Sequence, residues 1–210
     1  EMVNQILTVM NDTKERVSHV VVMGTGEPFD NYDHVMNFIR IINHPKGLAI
    51  GARHLTISTC GLCDKIEMYA HEGIQSNLAV SLHAPNDEIR DELMPINKTY
   101  PMDKLRESLQ YYIQNTNRGV TFEYILLKGI NDDITHARQL AHYMRGLNAY
   151  VNLIPYNAVD EHGLQQSSPY DVEIFKNELL RLKINVTLRK EHGRDIDGAC
   201  GQLRAKKVGE

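Results

Sequence analysis

No run of apolar residues in this chain approaches the 18 or so needed to cross a bilayer as a helix, and no secretory signal pattern opens it. Cysteine is scarce and odd in number, three in 210 residues, which excludes a disulfide-stapled scaffold and points to a reducing compartment. The cytoplasm is the expected location, with no membrane partner. Neither sign of charge dominates. The 23 basic and 27 acidic side chains leave a formal charge of −4, which excludes a surface coated throughout for nucleic acid but leaves room for a local basic patch. Internal repeats, low-complexity tracts and linker-like stretches are also missing, so the length predicts one domain. The chain opens at Glu1 and runs at once into a helical pattern, which predicts an excised segment of a longer protein whose first strand and following loop are missing.

What is present alternates between two periods. Met2, Val3, Ile6, Leu7 and Met10 recur at helical spacing and predict an amphipathic helix over residues 1 to about 15. Residues 20–23, Val-Val-Val-Met, then stop at Gly24 and Gly26; four consecutive large apolar residues predict a parallel strand covered on both faces. Strands are expected again at 54–59, 77–82, 120–127, 150–154 and 185–189. Between them lie helices built on Val35, Met36, Ile39 and Ile42, on residues 64–72, on Leu105, Leu109 and Ile113, on residues 133–147, and on Val172, Phe175, Leu179 and Leu182. Asn86 caps a short acidic helix to about residue 94. Strands alternating with helices of this length call for right-handed βαβ units and a parallel sheet, here an α/β fold of the partial (β/α) barrel kind.

In such sheets ligands sit beyond the carboxyl ends of the strands. Gly26-Glu27, Ser58, Ser81-Leu82-His83 and Asn157 all fall at those ends and converge on one rim. Glu27 suits an ammonium group, the serines and Asn157 suit a carboxylate or ribose hydroxyls, and strand-tip backbone suits a base edge. Each also has a plainer reading: Glu27 as a solvated acid in the first turn of a helix, His83 as a rim histidine satisfied by the protein itself. The ten histidines show no metal-ligand spacing. Cys60-Gly-Leu-Cys63 has the spacing of a redox pair, but it lacks a thioredoxin-like context and two further zinc ligands nearby, so both cysteines read as small rim or core residues. Cys200 differs. In Asp195-Ile-Asp-Gly-Ala-Cys-Gly-Gln-Leu203 it stands among small residues, glycines and carboxylates, the setting of an exposed nucleophile. Arg189, Lys190, His192, Arg194, Arg204, Lys206 and Lys207 crowd the same segment, either as a solvated terminus or as a patch for phosphates.

Six blocks together, Gly24-Thr-Gly-Glu-Pro28, Ser58-Thr59, Ser81-Leu-His-Ala-Pro85, Leu93-Met-Pro-Ile-Asn97, Val151-Asn-Leu-Ile-Pro-Tyr-Asn157 and the block around Cys200, resemble the RlmN-type radical S-adenosylmethionine RNA methyltransferases, in order and over nearly the whole chain. The resemblance implies a radical SAM barrel in which Gly26, Glu27, Ser58, Ser81, Leu82, His83 and Asn157 bind S-adenosylmethionine and Cys200 carries a methyl group as a thioether. It implies methylation of carbon 2 of adenine in 23S rRNA and in the anticodon loop of some tRNAs, with electrons from a donor such as flavodoxin. It also explains the chemistry: carbon 2 is electrophilic, so a radical formed from the cysteine-borne methyl is needed where ordinary methyl transfer fails. The chain departs from the family at Thr25, where many relatives have methionine, and Cys60 and Cys63 are not part of the shared pattern. The Cys-x-x-x-Cys-x-x-Cys loop that holds a 4Fe-4S cluster is absent, as are the family's second cysteine and its N-terminal RNA-binding domain. The cluster ligands are therefore expected outside this chain, no metal ligand within it, and the segment alone is expected to be inactive. Two other readings stand beside this one: a Cfr-like methyltransferase acting on carbon 8, which Pro28 disfavours, and a non-catalytic RNA-binding module, which the ordered cofactor blocks disfavour.

Overall fold

The structure, a computed structural model, describes residues 1–24, 26–157 and 163–189; Thr25, Cys200 with its block, and the basic residues from Lys190 onward lie outside the described residues. Six strands, β1 (Val20–Val22), β2 (Leu55–Thr59), β3 (Asn77–Ser81), β4 (Val120–Leu126), β5 (Ala149–Pro155) and β6 (Val186–Leu188), form one sheet in chain order. Every adjacent pair is parallel. The helices are α1 (Met2–Thr13), α2 (Tyr32–Asn43), α3 (Cys63–Tyr69), α4 (Asp87–Leu93), α5 (Met102–Thr116), α6 (Ile134–Met144) and α7 (Pro169–Arg181). Val21 and Met23 at one edge of the sheet line the same cavity of about 370 Å³ as Thr187 and Arg189 at the other. The sheet therefore curls into a partial (β/α) barrel whose two edge strands face each other across the lumen.

Period-2 alternation sorts the strands cleanly. Leu55 and Ile57 of β2, Leu78 and Val80 of β3, Val120, Phe122, Tyr124 and Leu126 of β4, and Val151 and Leu153 of β5 are fully buried in the helix-covered core. The opposite face carries Thr56, Asn77, Thr121, Glu123, Asn152 and Thr187 around the lumen. This corrects the expectation for residues 20–23. β1 is not covered on both faces: Val21 is 62% exposed and Met23 43%. The run looked doubly buried because its lumen-facing residues are apolar too, which hides the alternation that every other strand displays.

Helix boundaries follow capping chemistry. The side chain of Asn86 accepts from the backbone N–H of Ile89, Asp133 accepts from Thr135 and His136, and Ser168 accepts from Asp171 with Pro169 in the first turn of α7. α2 buries Val35, Met36, Ile39 and Ile42 as its spacing predicts. α5 buries Leu105 and Leu109 but turns Tyr112 inward, leaving Ile113 half-buried. No described helix is long and apolar enough to cross a membrane.

Candidate functional site

The carboxyl ends of β1 to β5 lie side by side by register. Ser58 pairs with Ala79 and Ser81 with Glu123, so the two serines sit at neighbouring tips on the lumen side. Neither hydroxyl bonds to another described residue. Beside them, Gly26 has a φ of +104° and open space where a side chain would project, so the backbone after β1 can be approached closely by a ligand. Asn157, half-buried, follows β5. Glu27 is not simply solvated. Its Oε1 accepts from the N–H of Phe29 at 2.9 Å, capping the short 3-10 turn Pro28–Asn31, and its Oε2 accepts from the N–H of Cys60 at 2.6 Å. One carboxylate thereby ties the tip of β1 to that of β2.

Ser81-Leu82-His83 divides by function. The Leu82 side chain is fully buried in the core, its N–H donates to the Glu123 carbonyl, and its own carbonyl accepts from Arg90. It shapes the rim through its backbone. His83 adopts φ +56°, a left-handed conformation for a side chain that is half-buried. That geometry is held on three sides: its N–H donates to the Glu123 carbonyl, its carbonyl accepts from Asn131 Nδ2 at 2.7 Å, and its Nδ1 accepts from the N–H of Ile125 at 3.2 Å. Accepting at Nδ1 places the ring proton on Nε2, and burial, with the Arg90 cation nearby, pushes the imidazole down to about 4. His83 is thus a neutral donor at the rim, and its Nδ1 is satisfied by the protein as the plainer reading expects.

Three residues that sequence reasoning passed over organise this rim. Asn131, fully buried, donates from Nδ2 to the carbonyls of His83 and Ile125 and accepts from the N–H of Leu127. Glu123 projects into the lumen, accepts from Asn152 Nδ2 at 2.9 Å, and is pushed up by burial against the opposing effects of Asn152 and Arg189. An acid inside an otherwise strand-like apolar run was the available signal. Arg90 is fully buried and donates to Leu82, Asn97, Cys60 and Ser81. Its cue was slight: helical spacing from Asn86 turns it under the β3 tip.

Cys60 and Cys63 behave as core and rim residues. Cys63 is fully buried with its Sγ on the Gly61 carbonyl, while burial and then Glu27 push the Cys60 thiol up to about 12. Among the described residues no group of three histidine, cysteine or acidic side chains is placed to hold a metal ion.

A family model described as the Radical SAM superfamily matches residues 2–141. The chain belongs to the radical SAM superfamily. It is 56% identical over 99% of its length to a Staphylococcus carnosus protein named "Probable dual-specificity RNA methyltransferase RlmN", and 57% identical over 100% to a Spiroplasma citri protein of the same name. It spans 58% and 61% of those two relatives, about three-fifths of their length. Among solved structures, a radical SAM methyltransferase from Sphaerobacter thermophilus superposes with a TM-score of 0.92 at 40% identity, covering 96% of this chain and 60% of that one. A domain of the pyruvate-formate lyase-activating enzyme from Bacteroides vulgatus shares the fold at 13% identity, with a TM-score of 0.63 over 83% of this chain and all of that domain. Radical SAM membership brings S-adenosylmethionine and a 4Fe-4S cluster as the expected cofactors. The rim fits the first: the Ser58 and Ser81 hydroxyls, which bond to no other described residue, an approachable Gly26 backbone and a neutral His83 suit a zwitterionic, ribose-bearing ligand. The described cysteines do not fit the second, being buried or held protonated.

Proposed function

We propose that this chain is the S-adenosylmethionine-binding portion of an RlmN-type RNA methyltransferase, which methylates carbon 2 of adenine in 23S rRNA and in tRNA. The observation that carries the reading is the placement of Gly26, Ser58, Ser81, His83 and Asn157 at or just past the ends of successive strands, with neither serine hydroxyl bonded to another described residue, in a chain 55–57% identical to proteins bearing that name. Bound there, S-adenosylmethionine supplies the methyl group and the radical chemistry of the reaction. The chain's own residues hold it: Ser58, Ser81 and Asn157 offer hydrogen bonds to its carboxylate and ribose, His83 donates from Nε2, and Gly26 admits it against the backbone. Glu27 and Leu82 fix the tips, and the Glu27 carboxylate supplies the negative charge that suits an ammonium group. Cys200 serves as the methyl carrier, because a thiolate accepts a methyl group far better than a hydroxyl does. The basic residues that crowd its stretch of the sequence supply the positive charge for RNA phosphates.

In the same reading the cluster ligands and an RNA-binding domain come from sequence outside these 210 residues, electrons come from a donor such as flavodoxin, and the enzyme works in the cytoplasm. The test is product analysis with the full-length protein, RNA and S-adenosylmethionine. 2-Methyladenosine should appear, one extra methyl should be found on the peptide containing Cys200, and Cys200→Ala should abolish methylation while retaining S-adenosylmethionine binding. An 8-methyladenosine product would assign the Cfr-like activity instead, and a methyl on Cys60 or Cys63 would refute the role of Cys200.

A further inference from the structure

Arg90 is a buried cation with no anion on its guanidinium among the described residues. It is fully buried, yet no carboxylate forms an ion pair with it among the described residues. Burying an unpaired charge is costly, and an apolar side chain would fill the space between α4 and the sheet without that penalty. Something at this point in the fold requires a planar, multiply donating group.

Its partners show what that is. The β2–β3 ladder ends at the pair Thr59 with Val80. One step further along the register are Cys60 and Ser81, and there Arg90 Nη2 donates to both carbonyls, at 2.8 and 3.3 Å. Nε donates to the next carbonyl, that of Leu82, at 3.3 Å. The guanidinium thus takes the place of the missing rung between two tips that have stopped pairing. Nη1 is anchored separately, donating at 2.8 Å to Asn97 Oδ1, while Asn97 Nδ2 donates to Asp87 and Asp91. Asp87 also accepts from the N–H of Met102, so the clamp is fixed to the start of α5. Gly61, at φ +105°, leaves room for Nη2; a Cβ there would lie 3.3 Å from it.

We propose that Arg90 is a positioning residue for S-adenosylmethionine: its guanidinium sets the separation of the β2 and β3 tips, and so the spacing of Ser58 from Ser81 and His83 across the ligand. This rests on the reading of the rim given under Proposed function. A lysine ammonium can keep the charge but cannot span carbonyls on two strands with the same planar fork. Charge alone is therefore not enough, and the tips of Arg90→Lys drift apart.

The test uses the full-length, cluster-reconstituted enzyme and measures S-adenosylmethionine affinity by equilibrium dialysis beside the thermal midpoint. Arg90→Lys should bind roughly tenfold more weakly, the scale expected when ligands on two supports move by a fraction of an ångström. Asn97→Ala, which keeps the cation but frees Nη1, should show a smaller loss in the same direction and serves if Arg90→Lys does not fold. Leu179→Ala, fully buried in α7 away from the rim, controls for general destabilisation: it should lower the midpoint and leave affinity unchanged. If folded Arg90→Lys or Asn97→Ala binds like wild type, or if Leu179→Ala weakens binding equally, Arg90 is merely structural and the proposal is wrong. If the wild type itself does not bind, the reading of the rim fails, and the role of Arg90 falls with it.

Discussion

His83 makes the stability of this fold depend on pH in a calculable way. In the folded state its imidazole is held down to about 4, against an ordinary value of 6.5. Between those two values the unfolded chain binds a proton that the native chain refuses, so stability falls as pH drops from about 6.5 toward about 4 and is unaffected by this residue above that window. At pH 5 the unfolded form is protonated roughly thirtyfold over neutral while the folded form is mostly neutral, a difference of about 2 kcal/mol. Water reaching the half-buried ring trims this toward about 1 kcal/mol. The appropriate control is His83→Asn. Asparagine tolerates the left-handed backbone at φ +56°, and its Oδ1 lies where His83 Nδ1 accepts from Ile125, but it does not titrate. Urea unfolding at pH 8 and pH 5 should show the wild type losing about 1–2 kcal/mol more than His83→Asn. Parallel losses in the two proteins, or an imidazole proton resonance titrating near 6.5, would refute the claim that the rim holds this histidine neutral.

Asp133→Ala removes the side-chain acceptor for the N–H groups of Thr135 and His136 and should cost about 1 kcal/mol in urea unfolding; an unchanged midpoint would mean that the cap is matched by water. Iron and sulfide added to the 210-residue chain should yield no stable 4Fe-4S absorption band, because Cys63 is buried and Cys60 is pushed up to about 12. A band lost on mutating either residue would show that they do act as ligands.

The alternation of strands and helices was legible because each element repeats its own period, and the strand tips were legible because glycines, serines and a histidine interrupt apolar runs at the same point of successive units. β1 was misjudged on burial for a physical reason: Val21 and Met23 are apolar but face the lumen, and hydrophobicity does not state which face is covered. Arg90 was hidden in a helix rich in acids, where an arginine normally reads as a surface partner; its burial is set by the Asn97 turn and the tips above it, which local pattern does not encode. Asn131 lay between an expected strand and an expected helix, where no local pattern marks a buried side chain, although its amide closes that loop onto His83. Glu27 was legible as a functional acid and as a helix-start acid, and its two oxygens hold Phe29 and Cys60 at once. Cys200 rests on sequence alone.

The order of the strands has a consequence for how the rim comes into being. Because each strand pairs with its neighbour in the chain, the partners across the ladder are separated by between 21 residues, Thr56 to Asn77, and 42 residues, Leu78 to Val120. A doubling of loop length adds only about 0.6 kcal/mol of closure entropy, so the five closures cost nearly the same and none must wait for a distant segment. Groups as far apart in sequence as Gly26 and Asn157 are therefore brought to one rim by short steps of similar size rather than by one long-range closure.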